Sequence, residues 1–154
     1  MTLFPETTVT EVKAFLKENW KKGAICPCCT NRVQQYSRPI TSSMAYGLIV
    51  LFNAHQQNFT HIQDFFKQQK GLPSSTHGDF PKLKYWGLIE ESQYNLGYYR
   101  VTNAGESFVK NDYIVKSNVL IYNNKTYGFE GNNVDIMQCL KNKFDYDKLL
   151  NGTL

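Results

Sequence analysis

A chain of 154 residues with 42% hydrophobic and 19% charged residues is long enough to bury its own core, and its composition excludes disorder and fibrous repeats. The longest apolar run, Gly47 to Phe52, is far shorter than the roughly 20 residues a membrane-spanning helix needs, and MTLFPETTVTEV lacks the basic start and apolar core of a secretion signal. The net charge of +4 is uneven: residues 1–40 carry six Lys/Arg against three Asp/Glu, and residues 41–110 six against five. Four cysteines in such a chain predict a reducing, cytoplasmic setting in which thiols stay reduced or bind metal.

In chain order, TVTEVKAFLKENW (residues 8–20) predicts an amphipathic helix. Thr8 and Glu11 form its capping box, and Val12, Phe15, Leu16 and Trp20 share a face. The cysteine segment GAICPCCTNRVQQYSR follows. Thr41 or Ser42 then caps a second helix running to His55, apolar on most sides and so buried. Thr60 and Gln63 read as the capping pair of a third helix that KGLP (residues 70–73) stops. A fourth helical stretch spans Thr76 to Trp86, with Pro81 admissible only in a first turn, so the regular helix begins as late as Asp79.

LIEES and GYYRVT flank a hairpin-length loop, and Thr102 caps the short helix NAGESFVK. Residues 118–129 predict a second hairpin turning at Asn123-Asn124. Asn133 is expected to cap a last helix with Ile136, Met137, Leu140 and Phe144 on one side. NGTL at residues 151–154 matches a glycosylation sequon, without meaning in a cytoplasmic chain.

Helix, helix, helix, strand, loop, strand, helix over residues 41–110 is the order of a winged helix. Leu83…Tyr85-Trp86-Gly87-Leu88-Ile89-Glu90 resembles the L-x-x-x-G-L-I-E junction between recognition helix and wing in many winged-helix regulators. Thr102-x-x-Gly105-x-x-Phe108 resembles the segment that follows the wing in that superfamily. The chain from 23 to 150 also resembles small phage-encoded proteins of undefined activity with an N-terminal cysteine knuckle, a G-D-aromatic segment before W-G-L-I-E, and an aromatic hairpin ending near F-D-Y-D. The resemblance implies a viral or prophage source and no particular chemistry.

The expected fold is therefore α+β: an N-terminal helix and Cys knuckle (1–40), a winged helix-turn-helix core (41–110), and a C-terminal β-hairpin with a helix (111–154), expected to form one compact unit. Leu48, Leu51, Phe52, Ile62, Phe65, Phe66, Leu83, Trp86, Leu88 and Val101 are expected in one core.

Cys26 and Cys29 have the C-x-x-C spacing of half a zinc knuckle, with Cys28 as an alternative ligand. A structural zinc needs four ligands, and the chain has no second C-x-x-C. Cys139, one of His55, His61 and His77, or a symmetry mate would have to complete it. Reduced thiols packed in a turn explain the same residues. Redox catalysis would need a helix starting at the first cysteine, whereas extended, polar NRVQQYSRP follows. His77 and Asp79 lie two apart, do not face each other on a helix, and lack a nucleophile partner. No Gly-rich phosphate loop is present, so no enzyme is expected.

The nucleic-acid candidates are Thr76, His77, Lys82 and Lys84 on the recognition helix, and Gln93, Tyr94, Asn95 and Arg100 on the wing. Arg32, Gln34, Tyr36 and Arg38 alternate in an extended segment and would form one stripe of guanidinium and ring. Asp79, Glu90 and Glu91 flank the wing surface, which equally describes a solvated face. The leading expectation is a non-catalytic, double-stranded-DNA-binding regulator, with homodimerisation open and no membrane association. The alternative is a protein-interaction module docking on a host or virion protein through exposed tyrosines.

Overall fold

The structure, a computed structural model, describes residues 8–152. The stretch MTLFPET, read above as lacking a signal core, and the last two residues of NGTL lie outside the described residues.

Thr8 opens α1 (Val9–Asn19) with the expected capping box: its hydroxyl accepts from the Glu11 N–H, and the Glu11 carboxylate accepts from the Thr8 N–H. The apolar face is thin, with Val12 buried and Phe15, Leu16 and Trp20 half-buried. Two short strands, β1 (Ala24–Ile25) and β2 (Arg32–Val33), pair antiparallel around the cysteines. β3 (Tyr36–Pro39) leads to Thr41, whose hydroxyl caps α2 (Ser42–His55). Residues Ser43 to Ile49 and Leu51 are all buried, so α2 is the shaft around which the rest is packed.

Then come β4 (Thr60–His61), α3 (Ile62–Lys67), α4 (Thr76–Asp79), a 3-10 segment (Phe80–Trp86), β5 (Ile89–Glu91), β6 (Tyr98–Val101) and α5 (Asn103–Val109). The three strands form an antiparallel sheet in the order β4-β6-β5. The expected hairpin is present, with Ile89 opposite Val101, Glu90 opposite Arg100 and Glu91 opposite Tyr99. Gly87 leaves the 3-10 segment at φ +76, a left-handed exit that a side chain would resist. Every expected core residue is buried except Phe52, which packs half-buried against the cluster.

β7 (Val115–Tyr122) and β8 (Lys125–Val134) make a longer hairpin than expected, and β3 pairs with β7 to give the order β3-β7-β8. Asn123 and Asn124 turn it with φ of 50° and 60°, the doubly left-handed turn that two-residue hairpins favour. The chain closes with α6 (Ile136–Leu140) and α7 (Tyr146–Leu150). The result is a mixed α+β protein with small antiparallel sheets, and one hydrophobic cluster runs from Ile40 to Leu149.

Four expectations are corrected. Thr60 does not cap α3, because pairing with Tyr99 draws it into β4; the His61 ring accepts the Asp64 N–H instead, and the helix ends at Lys67, ahead of KGLP. The single helix from Thr76 to Trp86 is divided. Pro81 has no N–H to donate, and after one turn of α4 the chain tightens to three residues per turn, which stacks Phe80, Leu83 and Trp86 on one buried face. Asn133 is part of β8; Asp135 caps α6 through a box with Gln138. That helix stops at Leu140 as Lys141 turns left-handed, leaving Met137 51% exposed and Phe144 beyond its end.

Candidate nucleic-acid interface

The segment from Thr76 to Trp86 was expected to present Thr76, His77, Lys82 and Lys84 together, but its tight winding distributes them. Thr76 is fully buried, and its hydroxyl donates to the Ser43 carbonyl at 3.2 Å. It ties α4 to α2 and leaves the candidate set, because no ligand can reach it. His77 is half-buried, lies 5.8 Å from Phe66 edge-on, and has Nδ1 3.3 Å from the Gln63 side-chain oxygen. Lys82 is held by Asp79 at 3.0 Å. Lys84 is exposed, with its ammonium 5.4 Å from the centre of the Tyr85 ring.

The β5–β6 loop is structured by its own polar groups. The Ser92 hydroxyl accepts from the N–H of Tyr94 and of Asn95, and the Glu91 carboxylate accepts from the Gly97 N–H. Gln93, Tyr94 and Asn95 are all exposed at its tip. Arg100 is not part of the same surface as the 3-10 segment. Tyr99 points inward, its ring 6.2 Å from Phe80, so strand alternation sends Arg100 to the opposite face. There it bonds Glu90 and lies 4.7 Å over the Phe59 ring. Its charge is largely answered.

The stripe expected from Arg32 to Arg38 resolves into two pairs, because residues 34 and 35 interrupt the strands. Arg32 donates to the Gln34 side-chain oxygen at 2.7 Å, and the Arg38 guanidinium lies 5.2 Å from the Tyr36 ring centre. Directly opposed residues of neighbouring strands share a face. Tyr36 opposes Ile121, Ile121 opposes Thr126, and the Thr126 hydroxyl donates to the Tyr85 carbonyl at 2.8 Å. Tyr36 and Arg38 therefore stand on the side of the sheet that meets the 3-10 segment. Two cation–tyrosine pairs are thus present, Arg38 with Tyr36 on the sheet and Lys84 with Tyr85 on the 3-10 segment. Among the described residues Arg32, Arg38 and Lys84 take part in no ion pair. Tyr85 was absent from the sequence-based set; its signal was adjacency to Lys84, which becomes meaningful only once Thr126 fixes where the segment lies.

The cysteines occupy the tip of the β1–β2 hairpin. Cys26 N–H donates to the Asn31 carbonyl at 2.8 Å, and Thr30 N–H to the Cys26 carbonyl at 2.9 Å. The backbone N–H groups of Cys29 and Cys28 donate to the Cys26 sulfur, which holds that thiol below its ordinary range. Cys26 is buried, while Cys28 and Cys29 are exposed. Among the described residues no group of three or more His, Cys, Asp or Glu is gathered as a metal site. Cys139 is far from this chemistry: burial in α6 pushes its thiol up to about 12.

Among the described residues no helix is long and apolar enough to cross a membrane. Comparison with protein-family models, curated proteins and solved structures finds no match to this chain.

Proposed function

We propose that residues 41–110 form a winged helix and that the protein is a non-catalytic, phage-type regulator that binds duplex DNA. Support for the fold comes from the order α2, β4, α3, α4 with the 3-10 segment, β5, β6, in which the three strands pair as β4-β6-β5 and the 3-10 segment directly precedes the β5–β6 hairpin, as a recognition helix precedes a wing. The observation that carries the function is the pair of cation–tyrosine contacts, Arg38–Tyr36 and Lys84–Tyr85, whose cations are exposed and, among the described residues, take part in no ion pair. Such cations neutralise phosphate and release counterions, while the rings offer apolar faces to sugar and base.

The test is a titration against mixed-sequence duplex at low and moderate salt. Changing Lys84 and Arg38 together to Ala flattens the salt slope by about two contacts' worth, whereas changing Lys82 and Arg100, already bound to Asp79 and Glu90, leaves it nearly unchanged. Absence of binding at low salt overturns the reading.

A second reading, docking on a host or virion protein, rests on a different observation. Tyr94 and Leu96 at the wing tip are 92% and 89% exposed, large apolar groups with nothing packed on them. Aromatic anchors of this kind dominate protein interfaces. Under that reading Y94S/L96S abolishes partner capture, and duplex affinity is negligible in the unaltered protein.

A further inference from the structure

We propose that the β1–β2 hairpin is half of a thiolate metal site, completed by the same hairpin of a second copy, with Cys26 and Cys29 of each chain around one zinc-class divalent cation. The proposal is independent of the DNA-binding reading.

The hairpin has the form of a ligand loop. Cys26 directly follows β1, Pro27 comes next, and Cys29 lies three positions beyond Cys26, with Thr30 immediately after it at φ 62°. That left-handed position is costly for a β-branched residue, on the order of 1–2 kcal/mol, yet the turn adopts it. The turn is closed by its own backbone: the Cys26 N–H donates to the Asn31 carbonyl at 2.8 Å and the Thr30 N–H to the Cys26 carbonyl at 2.9 Å, so Cys26 and Cys29 belong to one tight loop.

One chain cannot finish the coordination. Among the described residues no third metal-ligating group joins two of these thiols. His55 lies edge-on to Phe65 at 5.1 Å, His61 is engaged by Asp64 at 3.0 Å, His77 faces Gln63, and Cys139 is buried within α6. A closed tetrahedral site takes four ligands, so two must come from outside.

A second copy is the occupant that fits. An isologous twofold contact places the same two sulfurs from each chain around a single point. The tip is open for it, since Pro27, Cys28, Cys29, Thr30 and Asn31 are all exposed, and Ile25 beside them is 52% exposed, an apolar group with nothing covering it. Four thiolates on a divalent cation leave a charge of about −2. Arg32, opposite Ile25 at the tip end of the hairpin, supplies one cation per chain, two in a dimer. Binding releases one proton from each thiol to the buffer and changes no oxidation state.

The test uses the full reduced chain, with zinc added and then removed by chelator, reading metal content by elemental analysis and size by sedimentation. The expected result is about half an equivalent of tightly held zinc per chain, on a dimer that chelator returns to monomer. C29S, at an exposed position outside the core, abolishes both while leaving the circular dichroism spectrum unchanged. C28S keeps both. One equivalent per chain on a monomer, no retained zinc, a dimer indifferent to chelator, or loss of metal in C28S would each overturn the proposal.

Discussion

Gly105 shows how one atom explains a motif. A Cβ built on it would sit 2.1 Å from the Leu88 carbonyl oxygen, which already accepts the Thr102 N–H at 3.0 Å. The Thr-x-x-Gly pattern thus combines a cap with a close approach: the Thr102 hydroxyl accepts from the Gly105 N–H and donates to the Gly87 carbonyl. G105A is expected to cost about 3 kcal/mol in urea unfolding, because backbone must move. G78A, with open space around the added methyl, is expected to be neutral or slightly stabilising. Equal effects would refute the steric account. Tyr99 carries a pH signature at the same scale. Burial first, and the Glu91 carboxylate second, push its phenol from 10 up to about 12. The folded state favours the neutral ring, so its contribution is complete below pH 10 and is lost as pH rises through 12, about 2 to 3 kcal/mol in all. Y99F should lose less stability than the parent chain between pH 8 and pH 11. An identical loss would show that Tyr99 titrates as in the unfolded chain.

Among the elements, the β7–β8 hairpin depends most visibly on local chemistry. Asn123 and Asn124 both sit left-handed, and N124V is expected to cost about 1–2 kcal/mol, read from the denaturation midpoint. A change below about 0.5 kcal/mol would mean that the ladder, not the turn, sets the register. This turn was legible from sequence because two adjacent Asn residues between apolar runs have few other uses. The caps at Thr8, Thr41 and Thr102 were legible for the same reason: each is a short side chain followed by a helical pattern. What was not legible depended on tertiary partners. Thr60 satisfies a helix-cap pattern, yet pairing with Tyr99 across the sheet takes it first. Pro81 could be seen to disturb a helix, but the 3-10 winding that followed depends on burying Phe80, Leu83 and Trp86 together. For the site, Lys84 and Arg38 were visible as exposed cations. The neutralisation of Lys82 and Arg100 was not, since Glu90 meets Arg100 only through the strand register.

At the scale of the whole molecule, α2 joins elements that lie a hundred residues apart in the chain. Leu149 of α7 is buried in the same cluster as Leu48 and Phe66, the Asn53 side chain donates to the Leu149 carbonyl, and the Tyr146 hydroxyl donates to the Val109 carbonyl. L149A should therefore cost about 2–4 kcal/mol and lower amide protection in α2 and β6 as much as in α7 itself. The N-terminal part is attached differently. Val12, Ala24 and Cys26 are buried, but outside that cluster. Trp20 bridges to the β7–β8 hairpin, 4.7 Å from Tyr122 and 5.3 Å from Tyr127. Three rings in mutual contact are worth a few kcal/mol, enough to seat a helix but small beside the main core. A unit seated on the rest through these ring contacts should open separately from it. W20A is accordingly expected to speed hydrogen exchange in α1 and the β1–β2 hairpin by at least tenfold, while the denaturation midpoint of the core shifts by less than about 0.5 kcal/mol. Equal loss of protection in α2 would show that the N-terminal part is an integral layer of the core. Selective loss would show an arm held by aromatic contact, carrying its cysteine tip outward from a core that does not need it.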